Sequence, residues 1–125
     1  MASKSFEDLI AWQKARALAN TINYECRSGL LSKDYCLRNQ MHRAAISIMA
    51  NIAEGQERGT PPDFIRFLWI AKASCGELRS HFYLALDFGY ITPEQATEFQ
   101  NAAMEISKII GGLISSLRKA NTPSS

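Results

Sequence analysis

The sequence predicts an all-α chain folded as an up-down-up-down four-helix bundle. Apolar residues recur at three- and four-residue spacing in four stretches, and no stretch alternates with period two for long enough to compete as a strand. Breaks fall between the stretches, at Ser28-Gly29, at Gly59-Thr60-Pro61-Pro62 and at Gly89 to Pro93. Helices of similar length joined by short connections pack as antiparallel neighbours. A chain of 125 residues is one domain and can bury a core without disulfides or metal.

The first helix is expected after Ser5. Ser5 caps it, and Glu7 and Asp8 suit the positive end of its dipole. Its core stripe is Leu9, Trp12, Ala15, Ala19, Ile22 and Cys26. A loop of roughly ten residues follows. The second helix starts between Ser32 and Leu37, because Ser32 and Tyr35 make no capping box. It runs to Arg58, with Gly55 expected to loosen its last turn. The third helix opens on Thr60 as cap and Pro61 at the first position. Its stripe, Phe64, Leu68, Ala71, Cys75, Leu78, Phe82 and Ala85, alternates steps of four and three. Gly89 ends it. The fourth helix has the clearest start, Thr92-Pro93-Glu94-Gln95, a capping box with a first-position proline. Its stripe is Phe99, Ala103, Ile106, Ile110, Leu113 and Leu117. The domain is placed at residues 6–119, with a disordered tail at 120–125.

Hydrophobic content of 46% and charged content of 21% are ordinary for a globular protein. A net charge of +2 does not by itself announce a nucleic-acid partner. Cys26, Cys36 and Cys75 form no CxxC pair and are odd in number, which fits reduced thiols in the cytoplasm. No apolar run has the length of a signal core or a membrane span, so a soluble protein without membrane contact is expected.

No catalytic set is predicted. A di-metal bundle site needs a Glu-x-x-His motif, and none is present, so neither metal nor cofactor is expected. Cys75 lies on an apolar stripe, where a small buried hydrophobe is the simpler role. The Gly55 to Thr60 segment lacks the lysine and spacing of a phosphate loop.

The second helix carries an unusual pattern. Gln40, Arg43, Ser47, Asn51, Glu54 and Arg58 fall within a sector of roughly 80° on a helical wheel. Most of the remaining upper half is apolar, from Ala44 to Ala53. Such a helix is expected to be covered on most sides, by its own bundle and by a partner chain. The polar line then organises packing first and contacts a ligand second, because buried polar groups must be paired. Leucine at Asn51 or Glu54 is expected to disturb folding or assembly. Four cations, Arg58, Arg66, Lys72 and Arg79, lie on or just before the third helix, away from its stripe, and are the candidate phosphate contacts. Trp69, with Phe67 and Ile70 nearby, widens the apolar face beyond what one bundle needs and points to a subunit interface.

Three segments carry a family resemblance. FEDLIAWQKARALA opens the first helix. LRNQMHRAAISIMANIAEGQER, in the second, carries Gln40, Arg43-Ala44, Ser47-Ile48, Asn51 through Gly55, and Arg58. The third helix adds a Phe-Leu, Ala, Ser, Glu-Leu and Gly-Tyr-Ile series. Together these resemble the bacterial four-helix-bundle proteins encoded in intervening sequences of 23S ribosomal RNA genes. The resemblance implies a ring-shaped homo-oligomer, typically a homopentamer, without catalytic activity. A related branch, the accessory variability proteins of diversity-generating retroelements, binds nucleic acid and works with a reverse transcriptase. The expectation for this chain is therefore a non-enzymatic bundle that binds RNA or a nucleic-acid-associated protein. The alternative is an interaction module with no nucleic-acid role.

Overall fold

The computed structural model of the protein describes residues 5–121. Four helices account for most of them: α1 Ile10–Cys26, α2 Tyr35–Arg58, α3 Pro61–Asp87 and α4 Pro93–Asn121. No strand occurs among the described residues. The α2–α3 seam is the broadest, α3–α4 and α1–α2 come next, and α1–α4 is narrow. Each helix thus packs on its neighbours in chain order, which is the up-down-up-down arrangement of a bundle.

The core is built from the predicted stripes. All seven predicted positions of α3, Phe64 through Ala85, are buried. Met41, Ile48 and Ile52 of α2 meet Leu68, Leu78 and Phe82 of α3 and Ile106 and Ile110 of α4 in one cluster. Burying each such side chain contributes about 1.5–3 kcal/mol relative to leaving it in water. In α4 the burial drifts. Ile114 is buried, while Leu113 and Leu117 are only half-covered. A straight helix turns about 20° per heptad away from a strict seven-residue repeat, so the inward position moves to the neighbouring residue.

Two helix starts differ from expectation. Ser5 precedes a short 3₁₀ turn, Phe6–Asp8, and α1 begins only at Ile10. The Ser5 hydroxyl donates to the Asp8 carboxylate at 3.2 Å instead of capping a backbone amide. With the start displaced, Ala11 and Leu18 join Ala15, Ile22 and Cys26 as the buried face. Leu9, Trp12 and Ala19 pack at its margin. Thr60 precedes α3 in extended conformation but makes no side-chain cap bond, so the prolines carry that start. The Thr92 box forms as read: Gln95 N–H donates to Thr92 Oγ1 at 3.1 Å, and Thr92 N–H to Gln95 Oε1 at 2.9 Å.

The cap of α2 is Asp34, a residue the sequence reading passed over. Its carboxylate accepts the Leu37 amide at 3.1 Å and the Tyr90 hydroxyl at 2.8 Å, tying the α1–α2 connection to the α3–α4 turn. The Leu37 amide and then the Tyr90 hydroxyl hold the Asp34 carboxyl below its ordinary range. The Tyr90 phenol is raised, because Asp34 holds its proton. A depressed folded-state pKa contributes stability that is complete above the unfolded carboxylate pKa and is lost as pH falls through the folded value. Tyr90→Phe is expected to move the Asp34 titration upward in a carboxyl NMR titration; an unmoved curve would remove Tyr90 as a cause.

The end of α3 closes in a Schellman motif. Tyr90 N–H donates to Ala85 O at 2.9 Å and Gly89 N–H to Leu86 O at 3.0 Å, with Gly89 at φ 76°. At the other end, α4 continues through Ala120 and Asn121, past the expected boundary of the domain. The rest of the expected tail, 122–125, lies outside the described residues. No helix among the described residues is long and apolar enough to cross a membrane.

Candidate nucleic-acid and assembly surfaces

The polar line of α2 lies along the α2–α3 seam. Ser47 and Ser74 hydroxyls share a hydrogen bond of 2.8 Å between the two helices. Asn51 Nδ2 donates to Ser47 O at 2.8 Å and to Ser47 Oγ at 3.0 Å. Ser74 is buried, so this small network satisfies polar groups inside the broadest seam of the bundle. The ends of the line behave differently. Arg43 and Glu54 are exposed, and Arg58 Nη2 reaches Glu54 Oε1 at 3.4 Å with both side chains about half in water. Such a pair contributes a few tenths of a kcal/mol. Within one chain this part of α2 is covered except along one strip, where Arg43, Ile46, Ala50 and Glu54 face water.

That geometry separates two substitutions. Asn51→Leu removes both amide donations and is expected to cost about 1 kcal/mol in urea unfolding. Glu54→Leu is expected to change bundle stability by less than about 0.5 kcal/mol. The reverse order would give Glu54 a further partner besides Arg58, in another chain.

The four candidate cations do not share one face. Arg58 and Arg66 stand over the Phe67 ring, at 5.1 and 4.6 Å from its centroid, and Phe67 itself is buried. Each is ion-paired, Arg58 with Glu54 and Arg66 with Asp63 at 3.6 Å. Lys72 and Arg79 lie on the opposite flank of α3 and tie it to α4. Lys72 Nζ donates to Ser107 Oγ at 2.7 Å. Arg79 Nε donates to Gln100 Oε1 at 2.9 Å, and Gln100 Nε2 returns a bond to Arg79 O at 2.9 Å. Sequence spacing put these residues off the apolar stripe correctly. It could not show Gln100 and Ser107, which approach from another helix.

Between those flanks the outer face of α3 carries two exposed apolar pairs, Trp69 with Ile70 and Tyr83 with Leu84, about 21 Å apart along the axis, with exposed Glu77 between them. Trp69, Ile70, Tyr83 and Leu84 are 45%, 42%, 58% and 43% exposed. Small exposed residues, Ala73, Gly76 and Ser80, lie among them on the same face. Arg118 of α4 stands 5.6 Å from the centre of the Trp69 ring.

The thiols divide by burial. Burial pushes Cys26 and Cys75 up to about 11, which keeps them as thiols near neutral pH and removes them as nucleophiles. Cys36 is exposed at the start of α2. No cluster of three or more His, Cys, Asp or Glu among the described residues could hold a metal ion. His81 Nε2 is occluded and makes no hydrogen bond, with Glu77 Oε2 3.5 Å away.

No curated protein matches the chain. Among solved structures it is similar to a protein of unknown function from the S23 ribosomal protein family of Bacteroides thetaiotaomicron. That similarity has a TM-score of 0.77 and 29% identity, covering 84% of this chain and 98% of the other. Residues 7–112 match the family described as 23S rRNA-intervening sequence protein, a span that takes in α1 to α3 and most of α4, and the chain belongs to that family.

Proposed function

We propose that the chain is a non-enzymatic helical bundle of the cytoplasm that assembles with copies of itself into a ring, typically of five, and binds RNA or an RNA-bearing partner. The observation that carries the assembly is the outer face of α3. The bundle core is complete without Trp69, Ile70, Tyr83 and Leu84, yet these large side chains are exposed along one face of the helix. Two exposed apolar pairs on one helix face favour a protein contact. RNA is the partner class supported by membership in a family named for ribosomal RNA intervening sequences.

A second reading has its own observation. Lys72 and Arg79 are engaged between α3 and α4, and Arg58 and Arg66 already have carboxylate partners, which favours a protein-interaction module without a nucleic-acid role. One experiment separates the two. Light scattering should give a mass near five copies of the 13.9 kDa chain. The assembled protein is then titrated with a structured RNA between about 50 and about 200 mM salt. RNA binding that weakens steeply with salt supports the first reading, and no binding at the lowest salt leaves the second. Trp69→Lys should keep the helical signal and reduce the mass to a monomer; an unchanged mass would put the interface elsewhere.

A further inference from the structure

Arg16, Arg27, Lys33, Arg38 and Arg43, all on α1, the connection or α2, have no ion-pair partner among the described residues. Residues 9–53 carry six Lys and Arg against two carboxylates, whereas residues 54–125 carry seven against eight. Over the whole of α1, the connection and α2, residues 10–58, the balance is seven Lys and Arg against four carboxylates, whereas α3 and α4, residues 61–121, carry six against six. On α1, Arg16, Asn20, Asn23 and Arg27 recur at steps of four, three and four, so they share one face. The lower end of that face meets α2 in a recess of about 430 Å³ lined by Asn23, Arg27, Ser32, Arg38, Asn39 and His42.

No carboxylate lines this recess. The only two in residues 9–53 are engaged elsewhere: Glu25 accepts from Gln95 of α4 at 3.3 Å, and Asp34 from Tyr90. Arg38 is held in place. Its Nη1 donates to Ser32 O at 2.9 Å, its Nε to Asn39 Oδ1 at 3.3 Å, and its guanidinium stacks 4.6 Å from the Tyr35 ring centre. Its Nη2 group has no protein acceptor among the described residues. The side chains of Asn23, Arg27 and His42 likewise have no hydrogen-bond or ion-pair partner among them. The recess therefore presents a fixed guanidinium, a free one, an amide donor and an imidazole, with no negative charge among its lining residues. A fixed guanidinium fork matches the oxygens of a phosphate group, and free donors beside it complete the contact.

We propose that the α1–α2 recess is a phosphate-binding site. Resting on the RNA reading above, it is where this chain grips the RNA backbone; the same chemistry would also hold a free phosphate ester. The recess takes the role that spacing assigned to Arg58, Arg66, Lys72 and Arg79, of which the first two are ion-paired and the other two are bonded across to α4.

The test uses the full chain and two variants that remove no internal bond. Arg27→Ala deletes a free cation. Asn23→Asp puts a carboxylate into the recess at nearly unchanged shape. Lys108→Ala, an exposed cation on α4, is the control. Salt-dependent titration with structured RNA is run beside NMR titration of the Asn23 and Asn39 side-chain amides with RNA, inorganic phosphate and adenosine monophosphate. The expected result is a salt slope about one unit shallower for Arg27→Ala, as for loss of one phosphate contact. Asn23→Asp should bind more weakly still, Lys108→Ala should match the parent, and both amide signals should move with RNA. RNA binding that is equal in all four proteins overturns the recess and leaves the RNA reading standing. No RNA binding, with saturable amide shifts from phosphate or the nucleotide that Asn23→Asp abolishes, keeps the site for a free phosphate ester and removes the RNA reading. Silence toward all three ligands overturns both.

Discussion

Phe82→Ala is expected to lower the unfolding free energy by about 3–5 kcal/mol, the cost of losing a buried aromatic side chain and leaving a cavity. Phe82 is completely buried, and its ring lies 5.5 Å from that of Phe99, tilted at 47°. It belongs to the cluster that joins α2, α3 and α4, so no single helix can shift to fill the gap. A domain of ordinary stability has only about 5–15 kcal/mol in total, so the variant should sit near its unfolding threshold. Phe82→Leu keeps most of the volume and should lose less than about half as much. Urea unfolding at one fixed protein concentration reads both, since assembly would otherwise shift the midpoint. A loss under about 1 kcal/mol for Phe82→Ala would mean that the core relaxes around the site, contrary to close packing.

Phe82 was legible as core because its helix repeats the four-three rhythm without interruption from Phe64 to Ala85. Large side chains alternate there with Ala71 and Cys75, and every one of the seven positions is buried. The α4 start was equally plain, since a capping box is a local bond between residues three apart. Failures occurred where a competing local bond or a residue from another helix decides. Ser5 looks like a cap, but its hydroxyl goes to Asp8, and the helix waits until Ile10. Asp34 carried the right signal, a cap-type residue directly before the helix, and its second bond comes from Tyr90 across the bundle. The candidate cations show the same limit. Spacing places Lys72 and Arg79 off the stripe, but only the fold brings Ser107 and Gln100 to neutral contact with them. The recess cations, Arg27 and Arg38, which have no carboxylate partner among the described residues, belong to a stretch whose excess of positive charge can be counted in the sequence. Their convergence depends on how α1 and α2 cross, which periodicity does not encode.

Gly55 gives the clearest case of a local rule overturned by packing. A glycine in a helix interior costs about 1 kcal/mol relative to alanine, which is why a loosened last turn was expected. The helix instead continues through Gly55 to Arg58, and Gly55 is buried. A Cβ placed there would stand 2.9 Å from Phe64 Cδ1, 2.9 Å from Phe67 Cβ and 3.3 Å from Phe64 O. The α3 start thus packs directly on the α2 backbone, and the missing side chain is the space it occupies. Two terms oppose in Gly55→Ala. Helix propensity favours it by about 1 kcal/mol, while overpacking opposes it by about 1–3 kcal/mol. Phe67 Cβ is fixed to its backbone and cannot swing away, so the net result should be a loss. Gly55→Val adds branches to the same gap and should lose about 3 kcal/mol. Gly112→Ala is the matched control: that position is exposed and meets nothing within 4 Å, so propensity alone acts and a gain of up to about 1 kcal/mol is expected. Urea unfolding of the three variants at equal concentration checks the pattern. If Gly55→Ala gained stability as Gly112→Ala does, the α2–α3 corner would have to yield at no cost, and the close approach would not be what excludes a side chain there.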